Sequence, residues 1–198
     1  MIEALISLVI TTTLLFGSPG PATMALAATG ATFGFRLGTP FLYGILCGLV
    51  IAIFGTAVGL AALFANFSGL RLIAQFLGTL YITYLAFKIA TAPVINGEDS
   101  AAINAPRFRD GFILNLVNVK AYAAFIAIFS QFLLPFNQAI AGYLSTGIVC
   151  IIIATVVDII WLWFGSAISP LFSKPREARI LRITFAVLML AAVAAVLF

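Results

Sequence analysis

Residues 148–163 read IVCIIIATVVDIIWLW, an apolar run interrupted by one charge, Asp158. An ionised carboxylate at lipid depth is unfavourable by at least about 2.5 kcal/mol on insertion scales, so this side chain must face protein or water. Its helical neighbours at i−11, i−7, i−4, i−3 and i+7 are Gly147, Ile151, Ala154, Thr155 and Gly165. That small, partly polar stripe predicts an inward face. Two roles fit a carboxylate there. It can accept a proton or pair with a substrate ammonium, or it can form a structural ion pair, with Lys120 as a candidate.

Working outward, the rest of the chain has the same character. Hydrophobic residues make up 64% of the 198 and charged residues 8%, against about a quarter charged in soluble domains. Mean hydropathy is +1.22. A core of this length cannot hide so much apolar surface, and the remainder is expected to face lipid. The fold class predicted is therefore an all-α integral membrane protein. The net charge of +4 sets ten basic residues against six acidic ones, and the basic residues stand at the ends of apolar runs, where they mark membrane edges rather than a nucleic-acid surface. Histidine is absent, and Cys47 and Cys150 stand alone in apolar stretches. The usual ligands for metal and the pairs for thiol redox chemistry are missing, so no cofactor or metal is expected and the cysteines read as small apolar residues. Too few catalytic side chains gather for a membrane-embedded enzyme.

On a ruler of about 20 helical residues per bilayer crossing, six segments emerge, at 3–33, 40–65, 69–90, 111–134, 139–168 and 179–198. The first resembles a signal peptide in its run from Ala4 to Phe16 and its Ala25-Leu26-Ala27. Its start carries Glu3 and no lysine or arginine, so it reads as a retained span. Basic residues then set the orientation. Arg36, then Lys88, Arg107 and Arg109, then Lys174, Arg176, Arg179 and Arg182 fall in alternate connections, with Arg71 alone on the other side. Both termini are expected outside. The polar connection 91–110, with Pro93, Gly97, Glu98, Asp99, Ser100 and Pro106, divides a single transporter domain, 1–198, into halves of about 1–90 and 111–198. Three spans entering from each face is the topology of a 3+3 inverted repeat.

Three further constellations stand out. Gly44, Gly48, Ala52, Gly55 and Gly59 share one face of segment 2 and let backbones approach closely, for packing alone or for one helix to slide. Ser18-Pro19-Gly20-Pro21 lies mid-segment, where two prolines and a glycine cannot sustain a regular helix. A helix restarting at Pro21 would aim free N–H groups and a positive dipole end at an anion such as a carboxylate; otherwise the feature is a packing kink. Segment 4 carries Asn115, Asn118 and Lys120 in apolar company. The asparagines are i, i+3 and share a face, while Lys120 either joins them in a polar patch or snorkels to the cytoplasmic surface.

Ser18-Pro19-Gly20-Pro21, Gly34-Phe35-Arg36-Leu37-Gly38, Gly59-Leu60, Gly78 to Leu85 with Tyr81 and Tyr84, Asn115 to Lys120, Gln131-Phe132 and Asp158 occur in an order that resembles the lysine exporter and homoserine/threonine resistance (LysE/RhtB) family. The resemblance covers nearly the whole chain. It implies amino-acid export across the bacterial cytoplasmic membrane, exchanged for protons. The family's Asn-Pro-Lys stands here as Asn118-Val119-Lys120, and its Pro-Gln-Phe as Ser130-Gln131-Phe132. With valine at 119, a second helix break in segment 4 is left open.

The expected machine is a secondary exporter of small zwitterions, since no Walker-type G-x-x-x-x-G-K-[ST] is present. Its expected site is Ser18, Pro19, Gly20, Pro21, Asn115, Asn118, Lys120 and Asp158. The half-helix at Pro21, helped by Lys120, takes the carboxylate, the asparagines its other polar atoms, and Asp158 the ammonium or a proton in alternation. Expected partners are an amino acid, protons and the bilayer, without nucleic acid; a homo-oligomer is open. The alternative is a channel or metal-ion exporter of the same architecture.

Overall fold

A computed structural model describes residues 1–59, 68–91, 105–169 and 175–197. The described residues form seven helices and no strand: α1 (Ile2–Gly17), α2 (Pro21–Ala57), α3 (Ser68–Ala90), α4 (Phe108–Leu116), α5 (Val119–Gln131), α6 (Ala139–Ile168) and α7 (Pro175–Leu197). Residues 60–67, which hold the end of the second segment, most of the linker (92–104), residues 170–174 with Lys174, and the final Phe198 lie outside them. Among the described residues α2 and α6 are each long and apolar enough to cross a bilayer, and the bent α4–α5 pair makes a third span if counted as one.

Where the sequence predicts a loop between segments 1 and 2, the chain turns at one residue. Gly34 has φ 83 and ψ 169, a backbone conformation open to glycine because it has no Cβ, and helix resumes directly. Arg36 and Pro40 therefore sit inside α2, against the expectation of a start at 40. Pro40 cannot offer an N–H to the Arg36 carbonyl four residues back, and the Thr39 hydroxyl donates to that carbonyl instead, at 2.8 Å. Both arms of α2 meet α6 around Leu162, the first through Gly30 and the second through Gly38.

Glycine sets how closely these helices pack. A methyl group built on Gly30 would overlap the Leu162 carbonyl, and one on Gly165 the Ala27 carbonyl. The same holds between α2 and α4, where Gly44 abuts the Phe108 carbonyl and Gly111 that of Phe41. Of the predicted stripe, Gly44, Gly48 and Ala52 are buried and Gly55 half-buried, but Gly59 lies past the end of α2, exposed and at φ 100. It ends the helix rather than packing it. Gly44→Ala is expected to force α2 from α4, at about 1–3 kcal/mol as for other overpacked cores. Thermal unfolding in detergent should show a drop of several degrees, with Gly69→Ala, which meets nothing within 4 Å, as the unaffected control.

Two apolar clusters carry the bundle. One gathers Leu26, Phe41, Ile45, Leu85, Leu114, Leu162 and Met189. The other gathers Leu8, Leu49, Phe125, Ile128 and Cys150. On α6 the opposite face, with Ile148, Ile152, Val156, Ile160 and Trp163 exposed, is apolar and ready for lipid. Several helix hydroxyls are satisfied within their own helix, as Thr56 donates to Ala52, Ser145 to Ala141 and Thr155 to Ile151, which suits a solvent without water, while those of Thr29 and Thr32 in α2 are buried without a partner.

Candidate functional site

The break in segment 1 is present. α1 ends at Gly17, and Ser18 (φ −65, ψ 143) and Gly20 are extended. Ser18 closes α1 with its amide on the Leu14 carbonyl and its hydroxyl on that of Leu15, at 3.1 and 2.9 Å. Pro21 opens α2, where its missing N–H leaves nothing unmade. The Gly20 amide donates to Thr23 Oγ1 at 2.8 Å, and that hydroxyl donates to the Gly20 carbonyl at 3.1 Å. The amides of Ala22 and Thr23 then head α2 without an intrahelical acceptor.

Segment 4 is broken as well. α4 and α5 meet at 57°, with Val117 and Asn118 between them. No proline acts here. Asn118 holds the position preceding α5 with ψ 92, a place that asparagine favours, yet its side chain makes no capping bond. Its Oδ1 and the Nδ2 of Asn115 are instead buried without a hydrogen-bond partner, as unsatisfied groups that deserve an explanation.

These two breaks border one cavity. It is lined by Gly20 to Thr23 from the start of α2, by Asn115, by Asn118, Lys120 and Ala121 around the start of α5, and by Asp158 of α6. Leu15, Phe16, Ile45, Leu49 and Ala124 complete the wall. The two helix N-termini bring partial positive charge. Opposite in sign is Asp158, 7% exposed and without a salt bridge among the described residues. The space is about 30 Å3, room for water-sized molecules.

Six of the eight sequence-derived residues, Gly20, Pro21, Asn115, Asn118, Lys120 and Asp158, thus share this lining. Ser18 and Pro19 do not; they are exposed at its edge and bound by Lys120. Lys120 makes no salt bridge with Asp158. Its Nζ donates to the carbonyl and the hydroxyl of Ser18, each at 2.8 Å, and to the Pro19 carbonyl at 3.4 Å. Thr23 was not singled out from sequence; its hydroxyl takes the N3 place that a glutamate or glutamine holds in a capping box. Asp110 was also passed over. Buried at 6%, it accepts from the Arg107 amide at 2.7 Å and from Lys88 at 3.4 Å, while Tyr81 donates to its backbone carbonyl at 2.9 Å. It ties α3 to α4 away from the cavity.

Apolar helices with a lipid-ready exterior, around a cavity at two helix breaks that carries a few polar groups, suit a membrane translocator. The chain belongs to the LysE type translocator family, whose profile matches residues 13–198; it is a transporter and not an enzyme. It is 28% identical over 174 residues to the cysteine/O-acetylserine efflux protein of Escherichia coli O139:H28 (strain E24377A / ETEC), covering 87% of each chain. The proteins of the same description from Escherichia coli (strain K12) and Shigella flexneri serotype 5b (strain 8401) are each 28% identical over 173 residues, 87% of this chain and 86% of theirs. No solved structure matches the chain.

Proposed function

We propose that this protein exports small zwitterionic amino acids from the cytoplasm across the inner membrane in exchange for protons. The observation that carries the reading is the pairing, across one cavity, of two helix N-termini with the buried acid Asp158, which has no salt bridge among the described residues. An amino acid has the complementary ends. Its carboxylate suits the free amides at the start of α2 and the unsatisfied Asn115 Nδ2, and its ammonium suits Asp158 and the unsatisfied Asn118 Oδ1. Efflux of amino acids is also what the names of the relatives describe.

In this reading the chain crosses the bilayer six times with both termini outside. The first span is α1 with the first arm of α2, the second is the other arm, and α4 with α5 is the fourth. Each half then opens on a broken helix, as an inverted 3+3 repeat requires, with the linker 91–110 on the cytoplasmic side. Protonation of Asp158 and binding of the substrate ammonium exclude one another, so each ligand favours a different state of the carrier.

The test uses purified protein in liposomes loaded with a panel of amino acids. Saturable efflux of a subset is expected, accelerated by an opposing proton gradient and reduced to the downhill rate by a protonophore. Flux that rises linearly with concentration, or that ignores the gradient, would contradict the proposal.

A further inference from the structure

The oxygens that hold Lys120 make a cation site. Two are backbone carbonyls, of Ser18 and Pro19, and the third is the Ser18 hydroxyl. That hydroxyl spends its own proton on the Leu15 carbonyl, leaving its lone pairs to face Nζ. All three stand where α1 stops, and a helix end of this kind carries about half a negative charge. Carbonyls freed where a membrane helix unwinds are places where carriers hold small coupling cations. α1 has no basic residue in its own last turn; the ammonium arrives from a residue 102 positions away. Gly20 makes room for it, since a Cβ there would stand 2.9 Å from both Cδ and Nζ of Lys120.

We propose that the Lys120 ammonium is a tethered cation occupying the place that a mobile inorganic ion would otherwise fill, so that transport needs neither sodium nor potassium. The export reading enters only in the flux arm of the test; the cation site is judged separately by stability. Binding of a small cation to the folded protein alone raises its unfolding temperature.

The variant is Lys120→Ala, which removes the ammonium and leaves the oxygens. Thermal unfolding of the wild type and the variant is compared in equal concentrations of sodium chloride, methylammonium chloride and N-methyl-D-glucamine chloride, whose cation is too bulky to enter. The wild type is expected to unfold at one temperature in all three. The variant should unfold several degrees lower in the bulky salt and recover part of that loss in sodium or methylammonium. Equal midpoints for the variant in all three salts, a wild type stabilised as much as the variant, or a variant that folds in none of them overturns the proposal.

As a second variant, Lys120→Cys is treated with 2-aminoethyl methanethiosulfonate, which restores an ammonium, or methyl methanethiosulfonate, which adds bulk without charge; only the first should raise the midpoint. Equal effects also overturn the proposal. In liposomes, wild-type amino-acid flux should be unchanged when sodium and potassium are replaced by the bulky cation, and the alanine variant should fall at least tenfold and be partly restored by the small ones. A wild type that requires sodium sinks the tethered-cation proposal. A wild type that moves no amino acid in any salt sinks the export reading while the stability arm still decides the site.

Discussion

Asp158→Asn is expected to abolish amino-acid efflux driven by a proton gradient while leaving insertion in the membrane and thermal stability near those of the wild type. The substitution keeps the shape of the side chain and removes only its charge and its acid chemistry. Asp158 makes no salt bridge among the described residues, and Lys120, the cation on the same cavity, is held by Ser18 and Pro19. No ion pair is broken by the change, so a purely structural role predicts little effect. Under the proposed mechanism the loss is large. An ammonium that gives up a buried charged partner loses about 2–5 kcal/mol, on the order of 30-fold to several thousand-fold in affinity, and the proton loses its carrier altogether. Flux measured with and without a pH gradient separates the two effects. Gradient-driven export at the wild-type rate would remove Asp158 from the coupling.

What the sequence disclosed depended on whether a signal was local. Asp158 was legible because a lone charge in an apolar run has few places to go, and the break at Ser18 to Pro21 because proline and glycine act on their own backbone. α6 spans Ala139–Ile168 and α3 Ser68–Ala90, close to the segments drawn at 139–168 and 69–90, since long apolar runs bounded by polar residues leave little freedom. The turn at Gly34 was misplaced because one glycine at φ 83 replaces a loop, and nothing in its neighbours says that it will. The bend at Val117 and Asn118 had no proline to announce it. There Asn115 packs against Gly48, whose missing side chain leaves it space, and contact between distant segments decides the conformation. The partners of Lys120 and the tie from Asp110 to Lys88 are likewise tertiary.

The other large effect is expected from joining α1 to α2. Alanine at Pro19 and Gly20 alone would leave Pro21 to interrupt the ladder, so the informative variant changes Pro19, Gly20 and Pro21 together. A continuous helix bonds each amide to the carbonyl four residues back. The Ala22 amide would then take the Ser18 carbonyl and the Thr23 amide that of Pro19's replacement, which are the two carbonyls that Lys120 now holds. One change would therefore displace the lysine and occupy both amides offered to a carboxylate. Each amide bond to a charged group contributes about 1.5–3 kcal/mol, so losing two lowers substrate affinity roughly 100-fold or more. Alanine is the strongest helix former, and the variant should stay folded even as flux collapses, the separation of stability from activity expected where a helix is interrupted for function. Unfolding temperature and efflux measured on the same preparation test this. A straightened helix that still exports at the wild-type rate would return the break to packing alone and take the carboxylate site with it.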